Sequence, residues 1–346
     1  MSAGPLLAAA VLAAGTTWLL TPAARWLAVR LGAIAQPTPR GVHTRPVPSW
    51  GGLAMAAGLA VAALASRQFL VGLPAGLWLG GVAMLAVGVL DDRFDLPPVV
   101  KLAGQVAAAL LAAWGGVRIY YISSPWGGVL YLGRLVLPAT VLWLVAVTNV
   151  TNFIDGLDGL AAGVAVIAAS TLALVGGGEG QAAVVLLCVA VVGAAVGFLP
   201  YNSQPASIFM GDAGSHLLGY ALGSLAILGA LKSTTALSLV IPVLALALPV
   251  ADGAVAILRR LWAGRPIYGA DQGHVHHQLL ARGYSPRQAV LLLYSFNAVC
   301  GALALLMAVH TSWAVAAAGA VVLAAVATAI SVRVPAAEAS VSQLLR

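Results

Sequence analysis

Residues 134–175 read RLVLPATVLWLVAVT (134–148), NVTNFIDGLDGL (149–160) and AAGVAVIAASTLALV (161–175). Two apolar runs, each near the length that carries a helix across a ~30 Å hydrocarbon layer, flank a short segment crowded with Asp155, Asp158, Asn149, Asn152 and two glycines. Span, polar connector, span is the grammar of a polytopic membrane protein. The polar residues are packed too densely between the two runs for a plain turn.

The same grammar extends in both directions. Of the 346 residues 61% are hydrophobic and 8% charged, with a mean hydropathy of +1.00, too apolar for a water-soluble domain that must keep a polar surface. The expectation is an all-α integral membrane protein of about eleven transmembrane helices, at 5–27, 50–66, 74–90, 100–116, 134–149, 158–175, 181–199, 214–231, 235–251, 288–309 and 312–332. Residues 1–346 read as one polytopic domain, with 333–346 an Ala/Ser-rich flexible tail. The first run, Pro5 to Leu20, has no basic residue ahead of it, so it reads as a retained helix and not a cleaved leader. Cys188 and Cys300 fall inside apolar runs and read as small buried hydrophobes.

Orientation follows from Lys and Arg. If the connector after the first helix is cytoplasmic, that face collects Arg25, Arg30, Arg40, Arg45, Arg93, Lys101, Arg259, Arg260, Arg265, Arg282, Arg287, Arg333 and Arg346. The other keeps Arg67, Arg118, Arg134 and Lys232. The positive-inside bias then places the N-terminus outside and the C-terminus in the cytoplasm. All eight aspartates (Asp91, Asp92, Asp95, Asp155, Asp158, Asp212, Asp252 and Asp271) fall on the face chosen from the basic residues alone. Solubility does not require them there, so they read as gathered for chemistry. The net charge of +7 is scattered over short loops without a basic stripe, which excludes nucleic acid as a partner and favours anionic lipid and phosphate. On the outer face, residues 117–133 carry β-formers around Ser123-Ser124-Pro125-Trp126-Gly127-Gly128 and predict a short hairpin, its Tyr120, Tyr121, Trp126 and Tyr131 serving as interfacial anchors.

Five inner connectors carry the candidate chemistry. The first, Gln36 to Gly52, is Pro-stiffened and basic. Arg40, His43 and Arg45 can bind anions and Gly51-Gly52 can let a phosphate approach the backbone, or the loop is a positive-inside anchor with a tight turn. The second sets Asp91 beside Asp92 at a helix end, where like charges near hydrocarbon call for a metal or cationic partner unless the end is simply solvated. In the third, a helix would put Asn152, Asp155 and Gly159 at i, i+3 and i+7 on one face, with Asp158 beside them. Oxygen donors without Cys or clustered His nearby suit Mg²⁺ or Mn²⁺ over Zn²⁺. The fourth places Gly211 and Asp212 at a helix N-terminus, where free N–H groups can hold a phosphate beside a carboxylate-bound metal; Phe209 can stack on a base, and Asn202 is a ligand or a cap. The fifth, Ala251 to Gln288, holds Arg265 and the run Gly273-His274-Val275-His276-His277. It lacks the spacing of a helical zinc pair and fits phosphate binding better.

In order, the Pro-Arg-x-x-His loop ending in Gly51-Gly52, Asp91-Asp92, Asn152-Phe-Ile-Asp155-Gly-Leu-Asp158-Gly-Leu, Pro205-Ala-x-Ile-Phe-Met-Gly-Asp212-Ala-Gly-Ser215 and His274-Val-His276-His277 resemble the polyprenyl-phosphate N-acetylhexosamine 1-phosphate transferase family over residues 30 to 300. Pro-Ser-Trp-Gly-Gly and His-Val-His-His are closer to the undecaprenyl-phosphate N-acetylglucosamine branch that starts teichoic acid and O-antigen synthesis. The peptidoglycan-precursor branch usually shows Thr-Pro-Thr-Met-Gly-Gly and three consecutive histidines, and remains the alternative. The resemblance implies a bacterial inner-membrane enzyme that uses UDP-N-acetylglucosamine and undecaprenyl phosphate and releases UMP. It implies Mg²⁺ held by Asp212 with Asn152 or Asp155 near it, and Asp91 or Asp92 positioning the lipid phosphate. A homodimer is compatible with it, although no motif specifies one. A transporter would place ionisable groups at mid-membrane, and the spans hold none there.

Overall fold

The computed structural model describes residues 2–37, 45–123, 128–229, 240–262, 264 and 273–309. Its first helix, α1 (Ala3–Leu31), shows how the composition packs: Ala9, Ala13, Thr17, Thr21, Ala24 and Ala28 recur about every fourth residue and form the buried stripe, while Leu7, Trp18, Leu19 and Trp26 point away from the protein. Large apolar residues outside and small ones inside is the inverse of a soluble helix, because lipid solvates Leu as well as a core does and small residues let helices approach. α1 packs against α2 (Gly51–Leu64) and α8 (Ala182–Asn202).

The remaining elements are α3 (Arg67–Gly72), α4 (Ala75–Phe94), α5 (Pro98–Trp114), α6 (Val136–Phe153), α7 (Leu160–Gly178), α9 (Gly211–Leu228), α10 (Val240–Ala245), α11 (Ala247–Trp262), α12 (Val275–Ala281) and α13 (Pro286–Val309). Among the described residues six helices are long and apolar enough to cross a membrane: Ala3–Leu31, Ala75–Phe94, Gly133–Phe153, Leu160–Gly178, Ala182–Asn202 and Pro286–Val309. The chain is an all-α, multi-pass membrane protein. α9 is buried on every side from Ala213 to Leu228, as a helix apolar all round must be, and α2, α4, α6, α7 and α8 pack around it. Its N-terminus, which carries Asp212, therefore emerges at the centre of one end of the bundle. The hairpin expected within 117–133 is present as β3 (Tyr121–Ser123) paired antiparallel with β4 (Val129–Tyr131), with Tyr121 edge-on to Tyr131.

Several expectations need correction. The helix expected at 235–251 is two pieces, α10 and α11, and the second runs on to Trp262. Pro249 has no N–H for the Ala245 carbonyl one turn back. Asn297 of α13 repairs the break, its Nδ2 donating to Ala245 O (3.4 Å) and its Oδ1 accepting from Leu248 N (3.2 Å). Asn152, Asp155 and Gly159 do not share one helical face: α6 ends at Phe153, a turn follows, and α7 starts only after Gly159, whose φ of 79° breaks the helix. The short helices α3 and α12, and the two-residue pairing of β1 (Ile34–Ala35) with β2 (Val47–Pro48), were not expected. The helix at 312–332 and the tail at 333–346 lie outside the described residues, as do residues 124–127 at the hairpin tip.

Candidate active site

The C-terminal ends of α4 and α6 meet the N-terminal ends of α5 and α9. α4 delivers Asp91 and Asp92 in its last turn and closes on Asp95 in the left-handed conformation, with Leu96 N donating to Asp91 Oδ1 (2.9 Å). Pro98, whose fixed φ suits a first turn, starts α5 and sets Lys101 one turn in. The Lys101 ammonium lies 2.9 Å from Asp91 Oδ2 and also pairs with Asp212 Oδ2. From α6, Asn152 Nδ2 donates to Asp212 Oδ1 (2.5 Å) and to Ser215 Oγ (2.8 Å).

Asp92 plays a different part. Its Oδ1 accepts from Asp212 N (2.8 Å) and its Oδ2 from Ala213 N (3.0 Å), capping two of the N–H groups that a helix start leaves without partners. Gly211 sits at φ 70°, and a Cβ there would fall on the Asp92 carboxylate. Gly51 and Gly52 are also required by contact: a Cβ on either would strike the Phe198 ring or the Ala213–Gly214 backbone. They are not an open phosphate cradle. Phe209 N donates to Pro48 O (2.9 Å), Gly51 N to Phe209 O (3.0 Å) and Gly52 N to Met210 O (3.0 Å), a ladder that ties the first connector to the fourth.

The turn between α6 and α7 forms the next wall. Gly159 N donates to Asn202 Oδ1 (3.1 Å), Tyr294 Oη to Gly159 O (2.6 Å) and Ala206 N to Asp158 Oδ2 (2.9 Å). Gly156 lies against the His276 imidazole. The half-buried Asp155 carboxyl is pushed well above the usual carboxylate range, first by desolvation and then by the charges of Asp212, Asp92 and Asp158. His276, only 3% exposed, is pulled down to about 3, chiefly by burial and then by the neighbouring His277. The rings of His274 and His276 lie parallel at 5.9 Å, and His274 meets Phe153 at 5.3 Å.

These walls enclose a cleft of about 500 Å³ lined by Asp92, Asn152, Asp155 and Asp212 together with Arg260, His274, His276 and His277. A second cleft of about 630 Å³ is lined by Arg45, Asp158, Gln204 and Phe209, and Gly156 belongs to both. Carboxylates and an amide share a space of substrate size with histidines and an arginine: hard oxygen donors for a cation together with anion-binding groups. Lys101 shows that the carboxylates attract positive charge. Among the described residues no trio of acidic, imidazole or thiol groups stands close enough to hold a metal in this arrangement; the ammonium lies between two of the carboxylates. The donor set itself fits a hard divalent ion.

Residues 74–230 match the glycosyl transferase family 4 pattern. The chain is 38% identical over 299 residues to the probable undecaprenyl-phosphate N-acetylglucosaminyl 1-phosphate transferase of Bacillus subtilis, covering 86% of this chain and 84% of that protein. The chain belongs to glycosyl transferase family 4. It is 39% identical over 316 residues (82% of this chain, 77% of the relative) to the decaprenyl-phosphate N-acetylglucosaminephosphotransferase of Mycolicibacterium smegmatis. Similarity to the undecaprenyl-phosphate alpha-N-acetylglucosaminyl 1-phosphate transferase of Yersinia pestis is lower, 29% over 280 residues (78% and 75%). As a member of family 4 the chain is a glycosyl-1-phosphate transferase, and the two clefts are where its expected site residues divide. Asp92, Asn152, Asp155, Gly211, Asp212, His274, His276 and His277 line the first; Arg45, Asp158 and Phe209 line the second. Asp91 joins the first group through Lys101. Asn202 is 2% exposed with its Oδ1 on Gly159 N and its Nδ2 donating to Ile208 O (3.2 Å), so it braces the turn and lines neither cleft. Arg40, His43 and Arg265 lie outside the described residues. Lys101 and Asp252 were not among the expected site residues. The signal for Lys101 was a lone cation one turn into a span, ten residues after an acidic pair.

Proposed function

We propose that this chain transfers N-acetylglucosamine 1-phosphate from UDP-N-acetylglucosamine to undecaprenyl phosphate, forming undecaprenyl-diphospho-N-acetylglucosamine and UMP, as the first membrane step of a cell-envelope glycopolymer. The observation that carries the reading is the meeting of Asp91, Asp92, Asp212, Asn152 and Lys101 from four helices at one end of the bundle. The activities for which the relatives from B. subtilis and Y. pestis are named point the same way. In this reading the site opens to the cytoplasmic side of a bacterial inner membrane, eleven helices cross the bilayer, and the N-terminus is outside.

The donor's diphosphate fits the first cleft, and its base fits the second, on Phe209. Mg²⁺, for which Mn²⁺ can substitute, would be held by Asp212 with Asn152 or Asp155, and supplies neutralisation of the diphosphate charge. Phosphoryl transfer asks the protein mainly for positioning and charge compensation. The histidines and Arg260 bind phosphate oxygens. Lys101, between Asp91 and Asp212, keeps both carboxylates in place and presents a cation to the entering lipid phosphate. With a second pKa of about 6 that phosphate is already mostly dianionic at neutral pH, so Asp91 orients it and no strong base is needed.

The test is purified protein supplied with a panel of UDP-sugars, with and without undecaprenyl phosphate. UMP release that requires both UDP-N-acetylglucosamine and the lipid is expected. Uptake of a sugar nucleotide or lipid into vesicles without UMP release would overturn the reading.

A further inference from the structure

Asp252 lies on α11, is 4% exposed, and lines neither cleft. A buried carboxylate needs partners for both oxygens, and here both come from the histidine segment: Oδ2 lies 2.7 Å from His274 Nδ1, and Oδ1 accepts from Val275 N (2.8 Å). The same segment is held upstream, where Arg259 and Gln278 both donate to Gly273 O (3.0 and 2.7 Å). Those two bonds fix the backbone. The Asp252 bond to the ring fixes something more specific, namely which imidazole nitrogen is left for the first cleft that His274 lines.

With Nδ1 committed to Asp252, Nε2 is the nitrogen available to a ligand. A phosphate oxygen arriving there is an acceptor, and so is the carboxylate behind the ring. An imidazole between two acceptors satisfies both only by donating from both nitrogens, which is the doubly protonated form. The surrounding groups agree with this assignment. Arg260, Asp155 and His277 line the same cleft, Arg260 adding positive charge, and the parallel His276 ring is too buried to carry charge. Phe153 covers the edge of the His274 ring on the side of α6.

We infer that Asp252 is a positioning residue for the donor diphosphate: it holds His274 by Nδ1 so that Nε2 meets a phosphate oxygen as part of an imidazolium. The inference rests on the proposed donor, and its signature is a proton taken up when the donor binds.

Calorimetric titration of full-length protein in detergent with UDP-N-acetylglucosamine and Mg²⁺, without lipid acceptor, reads this directly. Run at pH 8 in two buffers of different ionisation heat, it gives the protons exchanged on binding. Wild-type protein is expected to take up protons relative to D252N and H274Q, which lose the same increment, while D252E keeps most of it. Asparagine still accepts from Val275 N, so D252N preserves the segment's backbone anchor. Its amide donates to Nδ1 where the carboxylate accepted, which leaves Nε2–H a neutral donor to the phosphate with no proton taken up, and donor affinity is expected to fall about tenfold, the scale on which a charge-assisted hydrogen bond exceeds a neutral one. Proton release to Mg²⁺ ligands is common to all variants and cancels in the difference. D252N that binds with wild-type proton uptake overturns the inference. Should D252N fail to fold, H274Q with unchanged uptake overturns it equally. Wild-type protein that gives no binding heat refutes the donor assignment itself.

Discussion

Replacing Asp92 by asparagine separates support of the catalytic centre from participation in it. The two Asp92 oxygens accept from Asp212 N at 2.8 Å and Ala213 N at 3.0 Å. Asparagine has the same shape but one acceptor. Its amide N–H₂ would face a backbone N–H, leaving one buried donor without a partner at about 1–3 kcal/mol. Loss of the negative charge at a helix N-terminus removes about 0.3–1 kcal/mol more. Together the destabilisation is about 1–4 kcal/mol, and were it passed entirely to the transition state, turnover would fall by about tenfold to nearly a thousand-fold. Asp212 is held by its own side chain to Asn152 and Lys101, so D92N should loosen the start of α9 without unfolding the bundle. Heat denaturation in detergent and UMP release, measured side by side on D92N and D91N, decide the matter. D92N should lower both melting temperature and kcat/KM, whereas D91N keeps the α9 cap. Activity lost at an unchanged melting temperature would mean that Asp92 acts on substrate, and activity retained at an unchanged melting temperature would mean that the cap carries no weight. Either result refutes the reasoning.

Lys101→Met leaves Asp91 and Asp212 without the cation between them, and is expected to lower turnover by more than about tenfold, the scale of one charged hydrogen bond, in the UMP assay. Asp155→Asn should melt higher than wild type at pH 8 while losing activity. The folded protein holds this carboxyl above its unfolded value of about 3.9, so ionisation costs stability as pH rises past that value, and the gap should close toward pH 4 in a thermal-shift series. His276→Asn should flatten the acid limb of the same series. The folded ring sits at about 3 against about 6.5 unfolded, so wild-type stability is complete above pH 6.5 and falls by about 1.4 kcal/mol per unit below it, a loss that asparagine cannot suffer.

Asp91, Asp92, Asn152, Asp155 and Asp212 were legible as one site because each lies where an apolar run stops, and a bundle of alternating helices brings every second stop to the same end. Lys101 was not legible. Placed near the edge of an apolar run, it reads as one more orienting cation, and only the direction of α5 behind Pro98 turns it toward the acids. Asp252 was hidden for another reason. The acid itself ends the apolar run, so the rest of α11 looks like the start of a long loop, and the partner that gives Asp252 meaning is 22 residues away in sequence. The roles of Gly51 and Gly52 stayed open for a related reason: glycine permits close approach, and sequence alone does not say whether a ligand or another backbone does the approaching.

The first cleft is also fixed from below, by a layer of polar side chains set among the helices. Gln105 lies one turn after Lys101 on α5, Asn149 three residues before Asn152 on α6, and His216 one turn after Asp212 on α9. Asn149 Nδ2 donates to Gln105 Oε1 (2.7 Å), Gln105 Nε2 approaches Asn149 Oδ1 (3.4 Å), and the same Nε2 lies 3.2 Å from His216 Nε2. Gln105 and His216 are 1% and 0% exposed, where amide and imidazole groups left without partners cost about 1–3 kcal/mol each. Lipid and Ala-rich helix faces resist sliding weakly, since one methyl replaces another. Three polar groups that find partners only at one register resist it strongly. A slide of one residue, about 1.5 Å, in any of the three helices would strand this layer before it visibly disturbed the apolar packing. The convergence of Lys101, Asn152 and Asp212 thus rests on hydrogen bonds one turn deeper than the chemistry, on helices whose apolar faces alone would leave that convergence poorly defined.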